Sequence, residues 1–323
     1  MNLNKLFFAV LVTGLLSLPA LAQDGPPTCE VQDTYTVGFA QTESNNPWRI
    51  AETASMEEEA AARGDQIVVT DAGGSAAKQV ADVQSLIAQG VDAIFLAPRE
   101  ETPLARAVLE AKRASIPVIL LDRDVDQEIA TVGEDYVTFI GSDFVDQGRR
   151  AAEWLVEATG GETTIIELEG TTGSSPANDR KQGFDDVIAE QEGMEIVASQ
   201  SADFARTTGR EVMETLLQSN PEVTAVYAHN DEMALGAIAA LEAAGRTPGE
   251  DVTVVSIDGT RDALQAIIDG TLGATVESSP FFGPVALDTL RAYCAGEDLE
   301  PWIKVEDKFF DPANAEEFID EAY

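Results

Sequence analysis

The sequence has little positive charge. It contains 20 Lys and Arg residues against 58 Asp and Glu, which gives a formal net charge of −38. Nucleic-acid-binding proteins gain affinity by neutralising phosphates with basic side chains, so this balance excludes a nucleic-acid partner and disfavours anionic lipids and ligands. A cation-binding protein would suit the charge, but the acidic residues lie on predicted helix faces and turns and do not converge. We therefore interpret the charge as a solvated acidic surface suited to a salty environment.

The sequence also lacks the motifs of common catalytic centres. His229 is the single histidine, which leaves His-dependent triads and His-rich metal sites without material. Neither a Gly-rich phosphate loop nor a G-x-S-x-G elbow is present. The stretch "DRDVD" begins like a calcium loop, but Gln127 and Gly133 stand where that loop needs Gly and Glu. We expect no enzyme activity, no cofactor and no metal site, with a paired-carboxylate carbohydrate-active enzyme as the alternative that composition leaves open.

Long hydrophobic runs are absent beyond the first 22 residues. Those residues combine Lys5, the apolar run "LFFAVLVTGLLSLPA" and the small-residue sequence "ALA", which together form the pattern of a cleaved signal peptide. We expect residues 1–22 to be removed before Gln23 and the mature chain to reach the periplasm. The only two cysteines are Cys29 and Cys294, and an exported chain could pair them.

The rest of the chain alternates strands and helices. The strands are near-continuous apolar runs, such as those in "VDAIFLAP" and "IPVILLD", and each is followed by a helix. This pattern is typical of parallel sheets covered by helices on both faces. The number of units exceeds one comfortable sheet, so we predict an α/β protein of two doubly wound domains, each with five or six strands. We expect a hinge near residues 137–144 and assign the strand "TFIGS" to the second domain.

Polar side chains stand where the predicted strands end. Asp122 and Arg123 follow a buried strand, and Asn230 and Asp258 follow two later strands. Ligands of open parallel sheets bind beyond the carboxyl ends of the strands, so these side chains are expected to share one cleft. Carboxylates, guanidinium groups and amides match sugar hydroxyls. A lone Asp at such a position is often only a helix cap, and Asp122 with Arg123 could be a surface ion pair, so the inference rests on the set.

The strand ends and several longer segments of the sequence resemble those of a known family. It is similar to the periplasmic solute-binding proteins of sugar ABC importers, in the ribose- and galactose-binding group. The resemblance implies the type I periplasmic-binding-protein fold, in which two doubly wound parallel-sheet domains are joined by a hinge with a ligand cleft between them. The short segments "PWR" and "NDRKQGF" point to the galactofuranose type. The segments that carry the resemblance are "TVGFAQ", "WRIAET", "QGVDAIFLAP", "IPVILLDR", "NDRKQGF", "SADFARTTGREVME", "VYAHNDEMALGAI", "SIDG" and "VESSPFFGP".

The resemblance also implies a ligand and its binding residues. Ribose-type members tend to carry paired Phe where this chain has Trp48 and Arg49, so the resemblance favours galactofuranose, with ribose, arabinose and galactopyranose as alternatives. Asp124, one position beyond Arg123, is expected to face solvent. Stacking and hydrogen-bonding roles around a neutral monosaccharide fall to Trp48, Arg49, Asp122, Arg123, Asp179, Arg180, Phe204, Asn230, Asp258 and Glu277.

The family topology divides the chain and suggests its partners. The helix after Glu277 would return to the first lobe, which brings Cys294 towards Cys29 and makes a disulfide between them plausible. We expect a monomer that works with an ABC permease, with a chemoreceptor as a further candidate partner and a non-importing sugar sensor as a less favoured function. A transcriptional regulator with this sensor fold would need a DNA-binding headpiece where this chain has its signal peptide. The expected lobes are residues 23–138 with 278–304, and residues 139–277 with 305–323.

Overall fold

A computed structural model describes residues 25–323. The predicted signal peptide lies outside the described residues. Within residues 25–323, no helix is long and apolar enough to cross a membrane. In chain order the elements are β1 (Thr36–Gln41), α1 (Pro47–Arg63), β2 (Gln66–Asp71), α2 (Ala76–Gln89), β3 (Ala93–Leu96), α3 (Glu101–Arg113), β4 (Val118–Leu121), β5 (Phe139–Gly141), α4 (Phe144–Thr159), β6 (Glu162–Glu169), α5 (Ser175–Ile188), β7 (Gly193–Ser201), α6 (Arg206–Ser219), β8 (Ala225–Ala228), α7 (Asp231–Ala243), β9 (Thr253–Asp258), α8 (Arg261–Ile268), β10 (Ala274–Glu277), α9 (Gly283–Cys294), β11 (Trp302–Lys304), β12 (Phe309–Phe310) and α10 (Ala315–Phe318).

These strands form two six-stranded sheets. The first has the order β11-β5-β4-β3-β1-β2 and the second the order β12-β10-β9-β8-β6-β7. All neighbours are parallel except β12, which runs antiparallel to β10. Every residue of the central strands β3 and β4 is buried, as expected of apolar strands covered by helices on both faces. The prediction of two doubly wound parallel-sheet domains is confirmed.

The chain passes between the two sheets three times. These crossings follow β5, β10 and β11, at residues 142–143, 278–282 and 305–308. The prediction that the second lobe begins at residue 139 is wrong, because β5 pairs with β4 in the first sheet. Phe139 also stacks on Trp302 of β11, with ring centroids 6.2 Å apart. An apolar strand of this kind fits either sheet by its pattern, and its place between β4 and β11 decides it.

The disulfide that the family topology makes plausible is present and joins Cys29 to Cys294, whose Cα atoms are 4.9 Å apart. Cys294 is the last residue of α9, and α9 packs on α1 of the first lobe, where the Gly283 amide donates to Ser55 Oγ at 3.0 Å. The bond therefore holds the segment before β1 against a helix that returns from far along the chain.

Candidate ligand-binding site

The carboxyl ends of the two sheets face each other across a cavity. The cavity is lined by Asn46, Trp48, Arg49, Asp122, Arg123, Pro176, Arg180, Phe204, Asn230 and Asp258.

Two of the predicted binding residues do not line this cavity. Asp179 lies in a separate groove at the edge of the lobes, beside Asp124 and Asp143. Successive residues of a helix point about 100° apart, so α5 cannot turn both Asp179 and Arg180 into one cavity. Glu277 turns to the other side of β10, where its carboxylate accepts from the Lys308 amide at 2.8 Å. The other eight predicted residues line the cavity.

The structure adds two lining residues to the predicted set. Asn46 caps α1, since its Oδ1 accepts from the Arg49 amide at 2.9 Å. The sequence could have indicated this residue, because Asn46 stands at the cap position of the "NNPWR" segment. Pro176 stands in the first turn of α5, and no sequence signal marks an apolar wall residue of that kind. Asp124, expected to face solvent, is half-buried: its carboxylate accepts from Tyr136 Oη at 2.8 Å and burial raises its pKa.

A chain of charged groups forms the first-lobe wall. Arg49 donates to Glu52 at 2.8 Å and to Asp122 at 2.6 Å, so one guanidinium bridges two buried carboxylates. Burial, opposed by Arg49 and reinforced by Asp122, raises the pKa of Glu52 to about 7. Asp122 is held at φ 61°, a left-handed conformation that directs the residue after β4 out of the strand.

Arg123 has spare hydrogen-bonding capacity in this wall. Its Nη1 donates to the Arg99 carbonyl at 3.3 Å, while its Nε has no hydrogen-bond partner among residues 25–323. Burial, together with the charge of Arg49, lowers the pKa of Arg123 to about 9. A buried cation with unused donors favours a ligand that supplies acceptor oxygens.

The second-lobe wall is built around Arg180. Its Nε donates to Gln147 at 2.9 Å and its Nη1 to the His229 carbonyl at 2.7 Å. Its Nη2 lies 3.9 Å from the carboxylate of Asp258. No hydrogen bond to that carboxylate comes from the described part of the chain, and burial raises the pKa of Asp258 well above its usual value. This wall therefore offers both a donor and an acceptor to the cavity.

Aromatic rings enter the cavity from opposite lobes. Trp48 is fixed by its indole N–H, which donates to the Ser278 carbonyl at 2.7 Å, and by an edge contact with Phe282 at 6.0 Å. The Phe204 ring lies over Gly170, where a Cβ atom would collide with it. The Arg123 guanidinium is 5.4 Å from the Phe204 ring centroid. Rigid aromatic walls of this kind suit the C–H faces of a small ring.

Backbone strain is concentrated at the cavity. Among residues 25–323, five non-glycine residues have positive φ, and four of them are Asp122, Asp203, Phe204 and Asp258. Three of those four line the cavity. Such conformations cost about 1–3 kcal/mol each and persist where surrounding structure imposes them. The positive φ angles therefore set the directions in which the side chains of Asp122, Phe204 and Asp258 point at the cavity.

The lobes meet around the cavity in a closed arrangement. Arg99 of the first lobe donates to Asp203 of the second at 2.7 Å. The Asp124 amide donates to Ser175 Oγ at 2.9 Å. The Glu101 amide donates to the Gly173 carbonyl at 2.9 Å. A ligand in the cavity would therefore be held away from bulk water.

His229 lies behind the second-lobe wall and holds two of its residues by hydrogen bonds. It is fully buried, its Nδ1 accepts from the Gly170 amide at 3.3 Å, and its Nε2 lies 3.0 Å from Glu167. Because Nδ1 accepts a hydrogen bond from an amide, the ring proton is on Nε2. The Nε2–H group then donates a hydrogen bond to the Glu167 carboxylate. Histidine thus supports Gly170 and Arg180 without lining the cavity.

Comparison with known proteins identifies the family. Residues 37–298 match the family model of the periplasmic binding protein domain. The chain belongs to the periplasmic binding protein family. Within this family it is 41% identical to the galactofuranose-binding protein of Escherichia coli (strain K12), over 80% of this chain and 81% of that protein.

Two solved structures are also similar to this periplasmic binding protein. One is the binding component of the arabinose ABC transporter from Shewanella sp. ANA-3, bound to α- and β-L-arabinofuranose. It has a TM-score of 0.84 and 40% identity, covering 88% of this chain and 95% of that one. The other is a protein from Mycobacterium smegmatis in complex with β-D-fucofuranose. It has a TM-score of 0.84 and 41% identity, covering 88% and 93% of the two chains.

Proposed function

We propose that this protein is an exported receptor that captures a neutral monosaccharide in the interlobe cavity, closes around it and delivers it to an ABC permease. The observation that carries the proposal is the pairing of Trp48 and Phe204 from opposite lobes around Asp122, Arg123 and Asp258. Sugars need this combination, because each hydroxyl is donor and acceptor while the ring faces are apolar.

The charge pattern supports a neutral ligand. The guanidinium of Arg49 is already neutralised by Glu52 and Asp122. Arg123 lies 3.6 Å from the Asp122 carboxylate and Arg180 lies 3.9 Å from that of Asp258, so each cation at the cavity has an anion beside it. An anion or cation would bring an unmatched charge into a buried site, which is costly, whereas hydroxyl groups can use both kinds of partner.

We infer that the sugar is galactofuranose. The support is the similarity to one protein named for galactofuranose and to two structures that hold five-membered sugar rings. Trp48 and Arg49 also stand side by side at the cavity, with the guanidinium 4.5 Å from the indole centroid. Ribose, arabinose and galactopyranose are the alternatives.

The remaining parts of the proposal concern place and partners. The Cys29–Cys294 bond is consistent with the oxidising periplasm, since structural disulfides are rare in the cytosol. We propose that the protein is monomeric and leaves the sugar chemically unchanged. Its closed lobes would be recognised by a permease, with a chemoreceptor as a second candidate partner. His229 lies behind the cavity wall and is not among the lining residues, which supports a receptor without catalysis.

Calorimetry against free sugars tests this proposal. We expect one-to-one binding of galactofuranose, stronger than that of ribose, arabinose or galactose, and recovery of unchanged sugar afterwards. Binding of another sugar in the panel in its place would overturn the galactofuranose assignment. If none of these sugars gave a heat of binding, the proposal of a sugar receptor would be overturned. Turnover of the bound sugar would show that the protein is an enzyme.

A further inference from the structure

One buried amide links a cavity residue to the hinge. Gln147 lies in the first turns of α4 and is 1% exposed. Its Oε1 accepts from Arg180 Nε at 2.9 Å. Its Nε2 donates to the Glu277 carbonyl at 3.1 Å and to the Asp307 carboxylate at 2.8 Å. All of the polar atoms of this side chain therefore have partners.

The chemistry of its partners fixes which way this amide points. Arg180 Nε can only donate, so it must face the amide oxygen. The Glu277 carbonyl and the Asp307 carboxylate can only accept, so they must face the NH₂ group. A flipped amide would place donor against donor and acceptor against acceptor.

The contacts reach all three crossings between the lobes. Glu277 ends β10 immediately before the second crossing, and Asp307 lies in the third. Asp307 also accepts from Ser142 Oγ at 3.0 Å, and Ser142 lies in the first crossing. The partners of Gln147 thus tie together the three segments whose backbone must rotate when the lobes open.

The helices that carry these residues pack backbone against backbone. A Cβ atom at Gly148 would collide with the Arg180 carbonyl, and one at Gly183 would collide with the Val145 carbonyl. The backbones of α4 and α5 are therefore in direct contact at the level of Gln147. We expect a shift of the crossings to reach Arg180 through this close-packed pair of helices.

We propose that Gln147 is a positioning residue that fixes Arg180 relative to the three crossings and so links lobe closure to the contact between Arg180 and the sugar. This inference rests on the proposed function. Gln147 is not among the lining residues of the cavity, so its effect on the ligand would pass through Arg180.

A charge-rescue cycle tests the link. Gln147→Glu keeps an acceptor for Arg180 but turns an oxygen towards the Glu277 carbonyl and the Asp307 carboxylate. We expect it to weaken sugar binding about tenfold or more, since the introduced oxygen then faces two groups that also only accept hydrogen bonds. Asp307→Asn keeps hydrogen bonds to both Gln147 and Ser142 and should bind within about threefold of the wild type. In the double variant the asparagine NH₂ can donate to the new carboxylate, so most of the lost affinity should return.

The second readout is closure itself. Spin labels on Ala81→Cys of α2 and Glu211→Cys of α6, both exposed, report the distance between lobes at saturating sugar. We expect Gln147→Glu to broaden the distance distribution and the double variant to narrow it again. Asp65→Asn is the control, because Asp65 is a buried polar residue of the first lobe that accepts from the Tyr35 amide at 2.9 Å and from Arg291 Nη2 at 2.7 Å, before β2 and away from the cavity. It should lower the melting temperature without broadening the distribution.

The outcomes separate this inference from the proposed function. If the wild type binds no monosaccharide, the proposed function fails, while the melting temperatures of the four sugar-free proteins still show whether Gln147 and Asp307 interact. If the wild type binds sugar and Gln147→Glu binds equally well, or Asp307→Asn restores nothing, the inference alone is overturned. Should Gln147→Glu not fold, Ser142→Ala replaces it, with weaker binding and a broader distribution expected and an unchanged protein contradicting the link.

Discussion

Two buried carboxylates of the second lobe differ in what surrounds them. Asp231, at the start of α7, accepts from Ser256 Oγ at 2.5 Å, from the Thr260 amide at 2.7 Å and from Thr275 Oγ1 at 2.7 Å. Asp258, at the end of the neighbouring strand β9, accepts no hydrogen bond from residues 25–323 and lines the cavity. Both are at most 5% exposed. The protein satisfies the first carboxylate itself, and we propose that the second is satisfied by the ligand.

The contrast shows how one strand-end position serves either folding or binding. Burial raises the pKa of Asp231 to about 6, opposed by its hydrogen bonds, whereas the pKa of Asp258 is raised well above its usual value by burial. A polar group buried without partners destabilises a fold. Its retention at Asp258 is therefore evidence for a function other than stability.

The largest expected effect is on binding at Asp258. Asp258→Ala should weaken sugar affinity about 100-fold to 1,000-fold, because truncating one partner of a buried charged contact costs about 2–5 kcal/mol. Calorimetry of the variant measures this loss. Its unfolding free energy without sugar should stay within about 1 kcal/mol of the wild type, since no protein hydrogen bond is removed. Near-normal affinity would contradict the role given to this carboxylate.

The reciprocal change at Asp231 should act on stability. Asp231→Ala leaves the Thr260 amide and three hydroxyl groups without their acceptor in the core, which should lower the unfolding free energy by about 2–3 kcal/mol. Urea denaturation measures this change, and calorimetry under native conditions should find a smaller loss of affinity than for Asp258→Ala. If Asp231→Ala lost much of its sugar affinity but none of its stability, Asp231 would act in binding, and its contrast with Asp258 would be wrong.

The pH dependence of stability should sharpen the comparison further. The folded pKa of Asp231, about 6 against an ordinary 3.8, means that the folded protein holds this proton more tightly than the unfolded chain between those values. Raising the pH from about 4 to about 6 should therefore destabilise the wild type relative to Asp231→Asn, which cannot ionise. Urea titrations of both proteins at several pH values measure the difference. A difference that is constant with pH would contradict the assignment.

The fold could be predicted from sequence because its signals are local. Apolar strands followed by helices indicated two parallel sheets, and the strand-end rule brought Asp122, Asn230 and Asp258 to one cleft. Asn230 also shows that the alternatives can coexist, since its Oδ1 caps α7 by accepting from the Met233 amide at 3.0 Å while the residue lines the cavity. A residue that caps a helix can therefore also line the cavity when the helix begins there.

What the sequence could not predict depends on direction and register. The side-chain directions of Asp122, Phe204 and Asp258 follow from positive φ angles, which no local pattern specifies. Asp179 was misplaced because adjacent helical residues point in different directions. Strand β5 was misplaced because its lobe is decided by pairing with β4, a contact between segments rather than a property of either.

A crystal structure with galactofuranose bound would test the central claim most directly. We predict that the sugar ring lies between Trp48 and Phe204 in the closed cleft, with its hydroxyl groups bonded to Asp122, Arg123 and Asp258. A sugar found instead in the groove beside Asp179, or on the outer surface of a lobe with the cavity unchanged, would contradict it.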